Sequence, residues 1–225
     1  MPAPPAIEKR RPANNTVARG GRRLLLARDN PHAVHRSPAR LILLTGRRGA
    51  GKTRLLRRLV AQARQAGLTV FGLLAPAQSR QGRKLRLDAL AAHSGARRRL
   101  ASRVAGELRG PRLGDWTFDS QTLAWGNALL ARTPPCDLFV LDELGPLEFE
   151  QHQGWNAAFA LLDQPLACRL AIIVVRPECA AAFRRRYPQA KTLTIRQPAD
   201  RRRLARQLRE TCRGGPPGTA AAGRL

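Results

Sequence analysis

Gly46-Arg47-Arg48-Gly49-Ala50-Gly51-Lys52-Thr53 have the types and order needed to hold a chain of phosphates. They fit the spacing G-x-x-x-x-G-K-[ST]. Glycines at 46, 49 and 51 let the backbone turn sharply and bring its N–H groups onto phosphate oxygens without interference from a Cβ. A helix starting at the end of the loop would add its free N–H groups and the positive end of its dipole. Lys52 would then reach the β- and γ-phosphates, and the Thr53 hydroxyl would ligate Mg²⁺. The candidate nucleotide-binding set runs from Gly46 through Arg54.

A second constellation is Asp142-Glu143, directly after the apolar run Leu138-Phe139-Val140-Leu141. An acid at the end of a buried strand can hold Mg²⁺, and a neighbouring carboxylate can orient or deprotonate an attacking water. Asp142 is therefore assigned to the metal and Glu143 to the water. The bland alternative is an acidic pair opening the turn at Gly145-Pro146. Arg176 also follows an apolar run and is a candidate γ-phosphate contact, weighed against an ordinary solvated charge. Trp116, Trp125 and Trp155 are expected to pack rather than to stack on a base. Cys136, Cys168, Cys179 and Cys212 form no C-x-x-C pair, so buried free thiols are expected. His32, His35, His93 and His152 are isolated and gain no catalytic role.

These residues require particular elements to position them. Leu41-Ile42-Leu43-Leu44 reads as a buried strand leading into the loop. Leu55, Leu56, Leu59, Val60 and Ala63 recur at helical spacing after it, and Gly67 closes that helix. Further strands are expected at 68–74, 138–141, 170–175 and 192–195. Helices are expected at 119–132, 154–163, 178–187 and 199–213. Residues 78–90 alternate around Gln81-Gly82, with Leu85, Leu87 and Ala89 on one face, and read as an appended β-hairpin. The stretch 91–114, rich in Arg, reads as loop with one short helix. Alternating strands and helices predict a mostly parallel sheet covered on both faces, with the site beyond the strands' carboxyl ends.

Residues 1–40, rich in Pro and Arg, read as a disordered extension, 41–213 as the folded domain, and 214–225 as a flexible tail. The chain has 225 residues and a formal net charge of +26. The charge is spread along it, so no single tail accounts for the basic character. Of the 41 basic residues 37 are Arg, amid abundant Ala, Gly and Pro, which reads as compositional drift and not as a nucleic-acid stripe. A nucleic-acid partner is compatible with the charge but supported by no motif. No apolar run has the roughly 20 residues of a membrane helix, and the first 40 residues do not form a signal peptide, so a cytoplasmic location is expected.

The glycine loop together with Val140-Leu141-Asp142-Glu143-Leu144-Gly145-Pro146-Leu147-Glu148 resembles the THEP-type nucleoside-triphosphatase family, small P-loop proteins. The resemblance covers about residues 41–195. It implies a RecA-like fold and slow Mg²⁺-dependent hydrolysis of several nucleoside triphosphates (ATP, GTP and others) to diphosphate and phosphate. It also implies the strand order 192–195, 41–45, 169–175, 137–142, 68–74. Arg47, Arg48 and Arg54 depart from the family's smaller residues and add positive charge near the phosphates. Two other readings share the loop. A nucleotide or nucleoside kinase is disfavoured by Glu143, because a water-activating carboxylate invites wasteful hydrolysis. A nucleic-acid-associated ATPase rests on charge alone.

Overall fold

A computed structural model describes residues 39–213. The tail expected over 214–225, and the extension expected over 1–40 apart from its last two residues, lie outside the described residues. So do His32 and His35. Arg40 opens the first strand, β1 (Arg40–Thr45), one residue before the expected start of the fold.

The apolar runs form one half of a ten-stranded sheet. Strand β1 leads through the glycine loop into α1 (Lys52–Gln65), and the chain returns as β2 (Val70–Leu74). The hairpin is β3 (Ala77–Arg80) and β4 (Arg83–Ala91). Gln81 (φ 48°) and Gly82 (φ 75°) make its two-residue turn with both φ values positive, as the right-handed twist of a hairpin favours. Next come β5 (Arg97–Ser102), β6 (Arg112–Leu113), β7 (Trp116–Phe118) and α2 (Ser120–Ala131). Asp119 caps α2 by accepting the Thr122 N–H at 2.8 Å. Strand β8 (Cys136–Leu144), short α3 (Pro146–Phe149) and α4 (Ala157–Leu162) follow. Then come β9 (Cys168–Val175), α5 (Ala180–Arg186), β10 (Lys191–Thr194) and α6 (Pro198–Arg213).

The sheet order is β10-β1-β9-β8-β2-β4-β5-β7-β6, with β3 on β4. Its first five strands are parallel and stand in the order the resemblance implies. Neighbouring residues of β1 face opposite layers. Ile42 and Leu44 pack with Leu55, Leu56 and Leu59 of α1 and Leu204 and Leu208 of α6. Leu41 and Leu43 belong to the other core, with Leu130, Leu162 and Phe183 from α2, α4 and α5. Burial on both faces explains why these strands read as unbroken apolar runs.

The other half corrects two expectations. The antiparallel part is not just an appended hairpin: β4 pairs with β2, and β5, β7 and β6 continue the sheet outward. The stretch 91–114 therefore holds strands and not a loop with a helix. Its pattern was hidden because β5 begins Arg97-Arg98-Arg99, three charges with distant partners. Asp88 of β4 is buried and lies 3.1 Å from Arg99 and 3.6 Å from Arg97. Gln78 donates to the same carboxylate at 2.8 Å. Arg98 lies 4.9 Å over the Trp125 ring. Trp116 and Trp155 are buried, as expected of packing residues.

Cys136 and Cys179 are buried free thiols, and Cys168 is buried beside Cys136. The Cys212 side chain lies outside the described residues. His93 stacks on Phe71, with ring centroids 4.5 Å apart, and His152 sits in a bend at φ 52°. Among the described residues no helix is long and apolar enough to cross a membrane.

Candidate functional site

Strand β1 delivers the chain to the glycine loop, and Gly51 caps α1 in the left-handed region at φ 87°. No side chain caps α1, and its first turn has no acid. Its leading N–H groups and the positive end of its dipole are thus left for an anion. The Lys52 ammonium donates to the Gly46 carbonyl at 2.6 Å and the Arg47 carbonyl at 3.2 Å. Burial pushes its pKa below the ordinary lysine value, against the opposing pull of Glu143 and Asp142.

Asp142, at the far end of β8, reaches the same place. It is 1% exposed, and the Ala75 N–H donates to its Oδ2 at 3.2 Å. The Thr53 hydroxyl lies near this carboxylate and helps to hold its pKa down. Burial, reinforced by the neighbouring Glu143 charge, pushes the Asp142 pKa up to about 6. Lys52, Thr53, Asp142 and Glu143 all line one cleft of about 560 Å³. That volume is in the usual range for a small-molecule site.

Glu143 owes its direction to a break in the ladder. Leu141 of β8 pairs with Ile173 of β9, but the next pair is Leu144 with Val175, so two residues of β8 oppose one of β9. Bulges of this kind re-aim side chains at sheet ends. Glu143 itself adopts φ 74°, a conformation that costs a non-glycine residue about 1–3 kcal/mol and collects at functional sites.

Of the remaining expected residues, Arg48, Gly49, Gly51, Arg54 and Arg176 line the cleft, whereas Gly46, Arg47 and Ala50 do not. Arg176 joins its Nε and Nη2 to Oε1 of Glu143 at 3.1 and 2.9 Å. Four cations on the wall were not singled out from sequence: Arg57 and Arg58 of α1 and, from more distant elements, Lys84 of β4 and Arg201 of α6. The Arg201 side chain lies so close over Gly51 that a Cβ there would overlap it. No local pattern distinguishes Lys84 or Arg201; only the pairing of β4 with β2 and the packing of α6 on α1 bring them in. Among the described residues there is no group of three or more His, Cys, Asp or Glu placed to hold a metal.

A family model described as NTPase matches residues 41–207, well over half of the chain. The chain belongs to this THEP1-like P-loop NTPase family. It is 33% identical over 109 residues to a nucleoside-triphosphatase THEP1 of Ignicoccus hospitalis, covering 48% of this chain and 61% of that protein. A THEP1 of Caldivirga maquilingensis is 28% identical over the same length and with the same coverage. One of Hyperthermus butylicus is 28% identical over 123 residues, 54% of this chain and 65% of that protein. The matches thus span somewhat under two thirds of these curated relatives. The fold is similar to the solution structure of a human cancer-related nucleoside triphosphatase, with a TM-score of 0.57 and 22% identity. That match covers 76% of this chain and 95% of the human one. The crystal structure of THEP1 from Aquifex aeolicus gives 0.55 and 15%, over 74% of this chain and 95% of that one.

Proposed function

We propose that this NTPase-family chain hydrolyses nucleoside triphosphates to the diphosphate and phosphate, with Mg²⁺. One observation carries the reading: the Thr53 hydroxyl and the Asp142 carboxylate lie near each other in one cleft, from different elements, with Lys52 and Glu143 on the same wall. Family membership supports it.

The loop amides and the front of α1 would bind the β- and γ-phosphates, and Lys52 would exchange its loop carbonyls for phosphate oxygens. The Thr53 hydroxyl and the Asp142 carboxylate are two hard oxygen donors lining one cleft, a set suited to Mg²⁺ rather than to a softer metal. When bound, the ion would neutralise charge on the phosphate oxygens. Glu143 would orient a water against the γ-phosphorus. The water oxygen bonds to that phosphorus as the bond to the β–γ bridging oxygen breaks, the diphosphate leaves with the electron pair, and the water's proton passes to Glu143. The buried free thiols of Cys136 and Cys179 accord with a reducing compartment, the cytoplasm.

Phosphate release from a panel of triphosphates with Mg²⁺, with no acceptor nucleoside added, tests the reaction. Glu143→Gln is expected to bind nucleotide as before and to lose about 10²–10³-fold in kcat. Full turnover by that variant would remove Glu143 from the chemistry. Strict dependence on an added nucleoside would make the chain a kinase.

A further inference from the structure

Glu143 presents a carboxylate with one oxygen already held. Both Nε and Nη2 of Arg176 donate to Oε1, which pins that oxygen from two directions and leaves Oε2 to face the cleft. The ion pair is largely enclosed, with the Arg176 side chain 13% exposed and that of Glu143 29%. The backbone N–H of Arg176 donates to the Leu144 carbonyl at 2.9 Å, so Arg176 is tied to the residue that follows Glu143.

Gly145 explains where the Arg176 stem runs. Its φ is −153°, extended backbone that any residue can adopt, so its conformation does not demand glycine. Space does. A Cβ on Gly145 would stand 2.9 Å from Cδ of Arg176, closer than real Cβ atoms are found, and 3.1 Å from its Nε, so the Arg176 stem would have to move. The Gly145 backbone is anchored from the other side. Glu148, 4% exposed, accepts the Gly145 N–H at 2.8 Å with one oxygen and the Trp155 N–H at 3.0 Å with the other. A continuous series of contacts therefore runs from Trp155 through Glu148, Gly145 and Arg176 to Glu143.

We propose that Arg176 is a positioning residue for Glu143: its stem rests on the bare backbone of Gly145, which Glu148 holds in place, and its fork turns the carboxylate toward the attacking water. This rests on the hydrolytic reading above and assigns Arg176 to the carboxylate, not to the γ-phosphate. Gly145 and Glu148 then build a seat for an arginine that arrives 31 positions after Gly145 from another strand. The Glu143 backbone accounts for the arginine. At φ 74° the side chain leaves its strand in a direction that neighbouring ladder contacts do not fix, and Arg176 supplies the missing constraint.

Gly145→Ala tests this without removing a charge. It is expected to lower kcat at least tenfold while KM for the Mg–triphosphate stays within about threefold. The same substitution made in Arg176→Ala protein should have no further effect, because the side chain it displaces is already gone. Arg176→Lys keeps the charge without the fork and adds no bulk, so it reads the same property if Gly145→Ala folds poorly; it too should fall at least tenfold in kcat. In the Glu143→Gln background, Arg176→Ala should leave the ratio of triphosphate to diphosphate affinity unchanged within about twofold. A drop of tenfold or more in that ratio would make Arg176 a γ-phosphate ligand and overturn the proposal. So would full kcat in Gly145→Ala, or independent, multiplying losses in the double variant. Absence of phosphate release by the unaltered protein would instead remove the hydrolytic reading itself, which these comparisons keep separate.

Discussion

The parallel half of the sheet, β10-β1-β9-β8-β2, and the antiparallel half, β4-β5-β7-β6 with β3, both bury carboxylates, and they compensate them differently. Asp88, in the antiparallel half, is bound by Arg99, Arg97 and Gln78. Asp142 and Glu148, in the parallel half, are held mainly by backbone N–H groups from Ala75, Gly145 and Trp155. Both are pushed well above the usual carboxylate range by burial, to about 6 and about 7. A carboxylate surrounded by guanidinium groups has its charge satisfied by the fold. One held by neutral amides keeps an unbalanced charge, which a metal ion, a proton or a nearby cation can meet. The antiparallel half thus uses its acid to join strands, whereas in the parallel half Glu148 holds the turn at Gly145 and, on the hydrolytic reading, Asp142 is left for a metal.

The contrast is sharpest in a pair of substitutions. Asp142→Asn is expected to cut turnover on the order of 10³-fold, about 4 kcal/mol of transition-state stabilisation, while thermal stability holds or rises. The amide can still accept from Ala75, and the unfavourable burial of a charge is relieved. Asp88→Ala should behave in reverse. Turnover per folded molecule stays the same, and unfolding free energy falls by about 1–3 kcal/mol as Gln78 loses its acceptor and Arg99 its ion-pair partner. Calorimetry and phosphate release on both variants check this. Loss of activity in well-folded Asp88→Ala would erase the distinction.

The two halves also differ in how far their sequences disclose them. Leu41–Leu44, Leu138–Leu141 and Leu170–Val175 are apolar at successive positions because both faces are covered, and that pattern is local. The glycine loop and Asp142-Glu143 are legible for the same reason: each is a short run at a strand's end. β5 is not. Its three leading arginines look like loop until Asp88 and Trp125 are placed against them. The bulge that turns Glu143, and the seating of Arg176 on Gly145, arise from how β8 and β9 slip past each other, which neither strand records alone. Lys84 and Arg201 enter the cleft by tertiary packing from residues that resemble many other exposed cations.

A smaller effect follows from Glu148. Its pKa rises from 4.5 in the unfolded chain to about 7 in the fold, chiefly through burial, with the Glu143 charge also raising it and its backbone donors opposing. The folded protein therefore binds more protons than the unfolded chain between these values. The contribution of Glu148 to stability is fully present below pH 4.5 and is lost as pH rises through about 7. Relative to Glu148→Gln, the unaltered protein should lose up to about 1.4 kcal/mol per pH unit across that window and level off above it. Asp142 titrates in both proteins, so its slope cancels. Denaturant unfolding of the pair at several pH values measures the difference. A flat difference would mean that the amides compensate Glu148 as completely as the arginines compensate Asp88.

The smallest expected effect lies where the halves meet. Lys84 is exposed, belongs to β4, and is the charge that the antiparallel half brings to the cleft wall among the described residues. It lies near enough to Lys52 to depress that ammonium's pKa further. Two cations this close repel each other until an anion sits between them, so Lys84 is expected to act on the arrival of phosphate and not on its transfer. Because it is solvated, salt should screen its contribution. Lys84→Ala is expected to raise KM for the triphosphate by roughly two- to fivefold at low salt, leave kcat within about twofold, and lose most of its difference from the unaltered protein by about 0.5 M salt. Steady-state kinetics across a salt series reads all three. A tenfold fall in kcat that salt does not soften would put a residue of the antiparallel half into the chemical step, and the division between a half that builds and a half that reacts would no longer describe the molecule.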